Sequence, residues 1–330
     1  MSGPVPLVRV MRSGVEEAVH LGSVAVVDAR GRLIAAAGDP AGVAFARSAS
    51  KPFQAAASLS LMGENAGEEL SDREVAVMCG SHHGEPEHLD AVGALLARAG
   101  LGPEALLCPP GLPLDPDAAL AVTERRPEYH NCSGKHAGML LASVRADLDT
   151  GTYPEEGHTV QRAALEVLSR AAGMEPAAVG VDGCGVPVHA FPLAALATMF
   201  ARLSTPEDLG PFEAPARRAT RALLAEPVMV SGTRGLDTAL MRTVPRMVAK
   251  GGAEALQCAV LLEEGVAIAV KIADGGYRAA GPAVVRALRV MGLIGPSHQE
   301  ALGGHSRPVV KGGGREVGEL VADFDLERLT

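Results

Sequence analysis

The segment Arg47-Ser48-Ala49-Ser50-Lys51-Pro52-Phe53-Gln54 sets a hydroxyl and an amine three residues apart. If the chain is helical there, Ser48 and Lys51 share one face. Pro52 fits only a helix's first turn, and the run from Gln54 to Met62 reads as a buried helix, so Ser48 falls at its positive end. Backbone N–H groups and the helix dipole would then hold a developing oxyanion while a neutral Lys51 takes the serine proton. That is the Ser-x-x-Lys logic of serine acyl transfer. The competing reading is an N-cap serine followed by a solvated lysine, and Pro52 also biases Lys51 away from helical backbone.

Three further stretches carry reactive groups. Ser81-His82-His83-Gly84-Glu85-Pro86-Glu87-His88 concentrates three histidines. Adjacent His82 and His83 point in different directions in regular structure, and Glu85 and His88 are accounted for by a helix start, so a metal there is disfavoured. His130-Asn131-Cys132-Ser133-Gly134-Lys135-His136-Ala137-Gly138-Met139 crowds two histidines, a cysteine and a lysine at the start of an apolar helix; the alternative is a capped helix with a buried cysteine. Val181-Asp182-Gly183-Cys184-Gly185-Val186-Pro187 is a second glycine-flanked cysteine site.

The elements that must position these groups follow from pattern. Residues 17–27 and 33–37 flank a glycine-containing turn and predict a hairpin, and Ser71-Asp72-Arg73-Glu74 has capping-box form before a short helix ending at Gly80. Helices are predicted near 86–99, 155–171, 192–203, 211–225, 235–248 and 278–293, with strands at 256–262, 266–272, 307–311 and 316–322. Lys250-Gly251-Gly252 breaks the helical pattern. From Leu101 to Tyr129 six prolines interrupt any periodicity, and a loop of that length covers something or has a function. Gly312-Gly313-Gly314 lacks the Lys-Ser or Lys-Thr of a phosphate loop and reads as a hairpin turn.

The expected fold is α/β in the α+β sense: an antiparallel sheet from both chain ends, packed with a large helical block. The organisation expected is one compact catalytic unit over 1–330, its sheet from 1–40 plus 250–330 and its mostly helical part from 41–249.

Composition narrows the function. A net charge of −9 argues against nucleic acid or an anionic membrane as the main partner and for a small-molecule substrate. The five scattered cysteines contain no C-x-x-C pair and form no disulfide framework. With no secretory pattern at the start and no apolar run of about 18 residues, the expected location is cytoplasmic.

Taken together, RSASKPFQ, CGSHHGE, HNCSGKHAGM, DGCGVPVHAFP and KGGAEA, spanning Arg47 to Ala255, resemble the rhizobial-type, or class 3, L-asparaginase family. The resemblance implies a fold similar to serine β-lactamases, penicillin-binding proteins and glutaminases. It implies hydrolysis of the L-asparagine side-chain amide to L-aspartate and ammonia, with glutaminase or another Ser-x-x-Lys hydrolase, or a zinc-binding amino-acid sensor, as alternatives. Two Ser/Lys pairs come with it, Ser48 with Lys51 and Ser81 with Lys250, as do substrate contacts from Arg47, His136 and Asp182. It places zinc (Zn2+) on Cys132, Lys135 and Cys184, where spacing alone equally allows Cys132, His136 and Cys184, and it suggests a homodimer. Two departures are visible. Gly80 stands where alanine is familiar in the family, and Ala255 where many members carry glycine.

Overall fold

A computed structural model describes residues 3–63 and 66–329, which divide into two units. The first comprises residues up to Ala49, Ala190–Thr205 and Ala239 onward; the second comprises Ser50–His189 and Pro206–Thr238.

The first unit is built on a nine-stranded antiparallel sheet drawn from both ends of the chain. β1 (Val5–Arg12), β2 (Val15–Val27) and β3 (Leu33–Ala37) come from the start; β7 (Met247–Gly252), β8 (Leu256–Leu261), β9 (Val266–Ile272), β10 (Val309–Gly312), β11 (Arg315–Ala322) and β12 (Glu327–Arg328) come from the end. The order is β10-β11-β1-β2-β9-β8-β7, with β3 pairing both β2 and β12. Every residue of β8 is buried, which requires cover on both faces and explains its unbroken apolar sequence. The helices Leu193–Ala201 and Ala280–Val290 both pack on β9 and supply that cover. The predicted hairpin is present. Asp28 holds its turn by accepting from the Arg30 and Arg32 N–H groups at 3.0 and 2.9 Å.

In the main sheet, β1 and β7 depart from the sequence reading. β1 went unread, although it pairs β2 and β11 in the middle of the sheet. The helix expected over 235–248 ends at Thr243, and Lys250, Gly251 and Gly252 belong to β7, where Lys250 pairs Cys258 and Gly252 pairs Leu256. Pairing with β8 overrides the poor strand propensity of a Lys-Gly-Gly run. β4 (Val43–Phe45) adds a short antiparallel pairing to the end of β6 (Pro187–Pro192).

The second unit is helical and centred on Lys51–Leu61, a helix whose buried residues run from Lys51 to Leu59. Helices Asp72–Cys79, Ser133–Arg145, Thr159–Ala172 and Glu213–Ala225 pack around it. A helix apolar on all sides must be so enclosed. The Ser133 helix lies backbone-close to the Asp72 helix, because a Cβ at Gly134 would stand 2.4 Å from the Val77 carbonyl and one at Gly138 would stand 2.6 Å from Met78. Ala178–Val181 forms strand β5.

The Asp72 helix begins with the capping box read from sequence: Ser71 Oγ accepts from the Glu74 N–H, and the Glu74 carboxylate accepts from the Ser71 N–H at 2.7 Å and from Arg98 Nε at 2.5 Å. Burial alone favours the neutral acid, but the hydrogen bonds from Arg98 and Ser71 outweigh it and hold the Glu74 carboxyl below its ordinary range. A depressed carboxyl pKa contributes stability above the unfolded value and loses it as pH falls through the folded one. Glu74→Gln is therefore expected to cost about 1–2 kcal/mol at neutral pH, with the difference from wild type shrinking below about pH 4. Urea denaturation across pH checks both.

Candidate active site

The second unit brings three of the sequence-selected stretches together around Lys51. A short 3-10 turn, Arg47–Ser50, runs directly into the helix whose first residue is Lys51, so Ser48 and Lys51 lie on one continuous helical run with Pro52 in its first turn. Lys51 is 1% exposed. Its Nζ donates to the Gly80 carbonyl at 2.6 Å, to Ser81 Oγ at 3.0 Å and to the Asn131 carbonyl at 3.2 Å. One amine thus ties the residues before and at Ser81 to the residue before Cys132.

Gly80 makes this possible. A Cβ there would sit 2.4 Å from the Met229 carbonyl, and the next N–H, of Ser81, donates to the Val230 carbonyl at 2.7 Å. Alanine at this position is therefore not an equivalent in this chain. Gly80→Ala is expected to push the Ser81 turn away from Lys51 and cost about 1–3 kcal/mol, read by chemical denaturation.

A second link runs parallel to the first. His82 Nδ1 accepts from the Gly84 N–H at 3.2 Å, so Nε2 carries the proton and donates to Ser133 Oγ at 2.8 Å; Ser133 in turn donates to the Glu128 carbonyl at 2.9 Å. Burial keeps His82 neutral, with neighbouring His88 and Lys51 adding to the effect. His82 stacks on His88 at 5.3 Å between ring centroids, and His88 bonds the Val228 carbonyl. These two histidines are structural partners. Among the described residues no group of three or more His, Cys, Asp or Glu is placed to hold a metal ion.

The proline-rich segment packs on the Ser81 loop. Pro113 occupies the space a Gly84 Cβ would need, the Asp115 N–H donates to the His83 carbonyl at 2.9 Å, and Asp115 caps the helix Pro116–Leu120.

Cys132, Lys135, His136 and Cys184 are all buried. Lys135 Nζ donates to Cys184 Sγ at 3.1 Å. A hydrogen bond from Cys184 draws the Cys132 thiol well below its ordinary value, whereas Cys184 is raised, first by that bond and then by burial. Burial opposes the charge on Lys135, but the two sulfurs outweigh it and raise the amine. The arrangement brings two sulfurs and an amine into one enclosed place. Asp182 adds negative charge that also favours the Lys135 ammonium, and its carboxylate accepts from the Gly183 N–H at 2.8 Å.

Sequence reasoning missed two members of this cluster. Cys108 is buried and pushed up to about 12, first by burial and then by Cys132 and Cys184. Tyr153, 0% exposed, bonds His136 Nδ1 at 2.6 Å. Neither carries a motif.

The first unit holds Arg47, Ser48 and Lys250. Arg47 has φ +45, a left-handed conformation that costs a non-glycine residue about 1–2 kcal/mol, immediately before Ser48. Gly252 on β7 supports that turn: its missing Cβ would lie 3.0 Å from the Ala46 carbonyl and 3.3 Å from Arg47 Cβ. Lys250, two residues earlier on the same strand face, is 1% exposed and donates to the Gly251 carbonyl at 2.7 Å. Ala255 has φ +53, which explains why glycine suits its position.

A family model described as L-asparaginase II matches residues 8–322. The chain belongs to the L-asparaginase II family. The motifs carrying the resemblance are those described above. No curated protein matches the sequence at a significant level. Among solved structures, the chain is similar to Mglu in its glutamate form, at 17% identity and TM-score 0.48 over 82% of this chain and 61% of that one. It is also similar to a β-lactamase from Mycobacterium bovis, at 19% identity and TM-score 0.42 over 82% of this chain and 94% of that one. The chain thus spans about three-fifths of the length of Mglu. Among the described residues no helix is long and apolar enough to cross a membrane.

Proposed function

We propose that the protein is an L-asparaginase working through Ser/Lys nucleophilic catalysis, a reading carried by the buried Lys51 amine. Two of its N–H bonds point at carbonyls, of Gly80 and Asn131, and the third position faces Ser81 Oγ. An ammonium fills all three. A neutral amine keeps both carbonyl bonds and turns its lone pair to Ser81 Oγ, so Lys51 can exchange a proton with Ser81 without loss of anchoring.

In this reading Ser48 Oγ attacks the side-chain carbonyl carbon of asparagine and Lys51 takes the serine proton. The C–N bond breaks as ammonia leaves with a proton, and water then hydrolyses the β-aspartyl ester to aspartate and free serine. Ser81, bonded to Lys51, relays protons, and Lys250 serves as the second amine, holding positive charge where the oxyanion forms. Arg47 offers its fork to the substrate α-carboxylate, Asp182 a counter-charge to the α-ammonium, and His136 a ring N–H donor.

Zinc fits the cysteine cluster chemically: two sulfurs and an amine are buried together, one sulfur already disposed to the thiolate form. Cys132, Lys135 and Cys184 would hold it, with Lys135 giving up its proton. The chemistry it supplies when bound is a cross-link between the HNCSGKH and DGC loops, with no part in activating the attacking group. Chelation is expected to raise KM and leave the nucleophilic step in place; unchanged substrate affinity and rate after zinc removal would contradict this role. A homodimeric, cytoplasmic enzyme completes the proposal, the oligomer being read by sedimentation.

The deciding assay is ammonia release from L-asparagine and L-glutamine by wild type and Ser48→Ala. Asparagine-selective release is expected, reduced by about three orders of magnitude or more in the variant. The two substrates differ by one methylene, worth about 1–3 kcal/mol, so preferential glutamine turnover would make the enzyme a glutaminase. Activity persisting in Ser48→Ala would transfer attack to Ser81. Release from neither amide would overturn the substrate assignment.

A further inference from the structure

Beyond the last family motif, which ends at Ala255, the first unit encloses a cavity of about 160 Å³. Helix Ala280–Val290 supplies Arg286 and Arg289, three residues apart and so on one face. The helices Pro296–Ala301 and Gly303–Ser306 supply Gln299 and Ser306, and the segment leading into β10 supplies Arg307. Among the described residues no carboxylate lines this cavity. In a chain whose net charge is −9, three guanidiniums around one cavity reverse the prevailing sign.

The acids that pair these arginines stand outside the cavity. Arg286 Nη2 meets Asp325 at 3.2 Å and Arg307 Nη1 meets Glu319 at 3.6 Å, the two carboxylates being 93% and 42% exposed. Arg289 has a neutral partner, donating to Gln299 Oε1. Exposed pairs are screened by solvent and salt, so two of them leave three like charges under-compensated. Like charges held close repel, and an anion between them offsets that cost.

Each guanidinium is committed only in part. Arg286 Nε donates to the Phe324 carbonyl at 2.9 Å, which anchors the side chain. Among the described residues no acceptor takes a hydrogen bond from Arg286 Nη1, from Arg289 Nε or Nη2, or from Arg307. Because Gln299 Oε1 accepts from Arg289, Gln299 Nε2 remains as a neutral donor. Donors in excess of acceptors around a positive cavity suit an oxyanion.

Shape and size select the oxyanion. A carboxylate has two oxygens and is matched by one guanidinium fork, whereas a tetrahedral phosphate has oxygens for three. Sites for drug-sized ligands run to about 300–1,000 Å³, so a cavity of about 160 Å³ takes a phosphoryl group and not a whole nucleotide. We propose that Arg286, Arg289 and Arg307 form a binding site for a phosphate dianion, either free phosphate or the phosphoryl group of a small phosphomonoester. Bound there, the anion joins the Ala280–Val290 helix to the segment entering β10. The site shares no residue with the Ser/Lys chemistry and does not depend on the asparaginase reading.

Calorimetric titration of the full chain with inorganic phosphate, at constant ionic strength, tests the site. A saturable one-to-one complex is expected with a Kd of about 1 mM or tighter, weakening as sodium chloride is added. Arg289→Gln and Arg307→Gln, both at exposed positions, are each expected to weaken binding about tenfold and to leave the urea midpoint in place. Methyl phosphate binding more tightly than inorganic phosphate would support the phosphomonoester form, and the reverse order the free-phosphate form. A Kd unchanged in both variants, or succinate binding more tightly than phosphate, would overturn the proposal. Absence of saturable binding of either phosphate overturns it in wild type alone, so the outcome does not hang on how the variants fold.

Discussion

A buried amine must have its hydrogen-bonding capacity met, and Lys51 meets it with groups from two separate loops. Placing that amine at the head of a helix enclosed on nearly every side fixes where the Gly80 and Asn131 carbonyls and the Ser81 hydroxyl must be. The constraint propagates outward. Gly80 has no side chain because the Met229 carbonyl fills its place, and Gly134 has none because the Ser133 helix must come close enough to bring Asn131 to the amine. Removing the lysine would leave two carbonyls and a serine without their common partner, so one buried amine organises the loops around it.

Around this centre, neutral and charged groups are sorted by burial and partners. His82 is kept neutral and acts as a fixed strut to Ser133, while the sulfurs of Cys132 and Cys184 hold Lys135 charged. His136 is depressed to about 4, first by burial with the Cys184 sulfur partly offsetting it, so near neutral pH its ring is a single-proton donor. The same protein environment therefore stabilises an ammonium at one residue and excludes a charge from the next.

Much of this was legible in the sequence. Alternation and turn chemistry gave the β2–β3 hairpin, the capping box gave the helix leading to Ser81, and the motif residues Lys51, Ser81, Asn131, Cys132, Lys135 and Cys184 do converge within the second unit. What was not legible is set by distant contacts. Lys250-Gly251-Gly252 has no strand propensity of its own and becomes one only by pairing with β8, and Val5–Arg12 carries no strong signal until β2 and β11 lie beside it. Tyr153 sits in a Gly-Thr-Tyr-Pro turn whose local pattern says nothing of a histidine 17 residues earlier. The Ser48-x-x-Lys51 spacing likewise gives no sign that this amine bonds Ser81.

The most direct test of the Ser/Lys account is to quench the enzyme during turnover of L-asparagine and map any covalent adduct by peptide mass. The account predicts a β-aspartyl ester on the peptide containing Ser48, absent when Lys51 is replaced by methionine. An ester on Ser81, or asparagine turnover with no adduct on either serine in wild type and in variants slowed at deacylation, would contradict it.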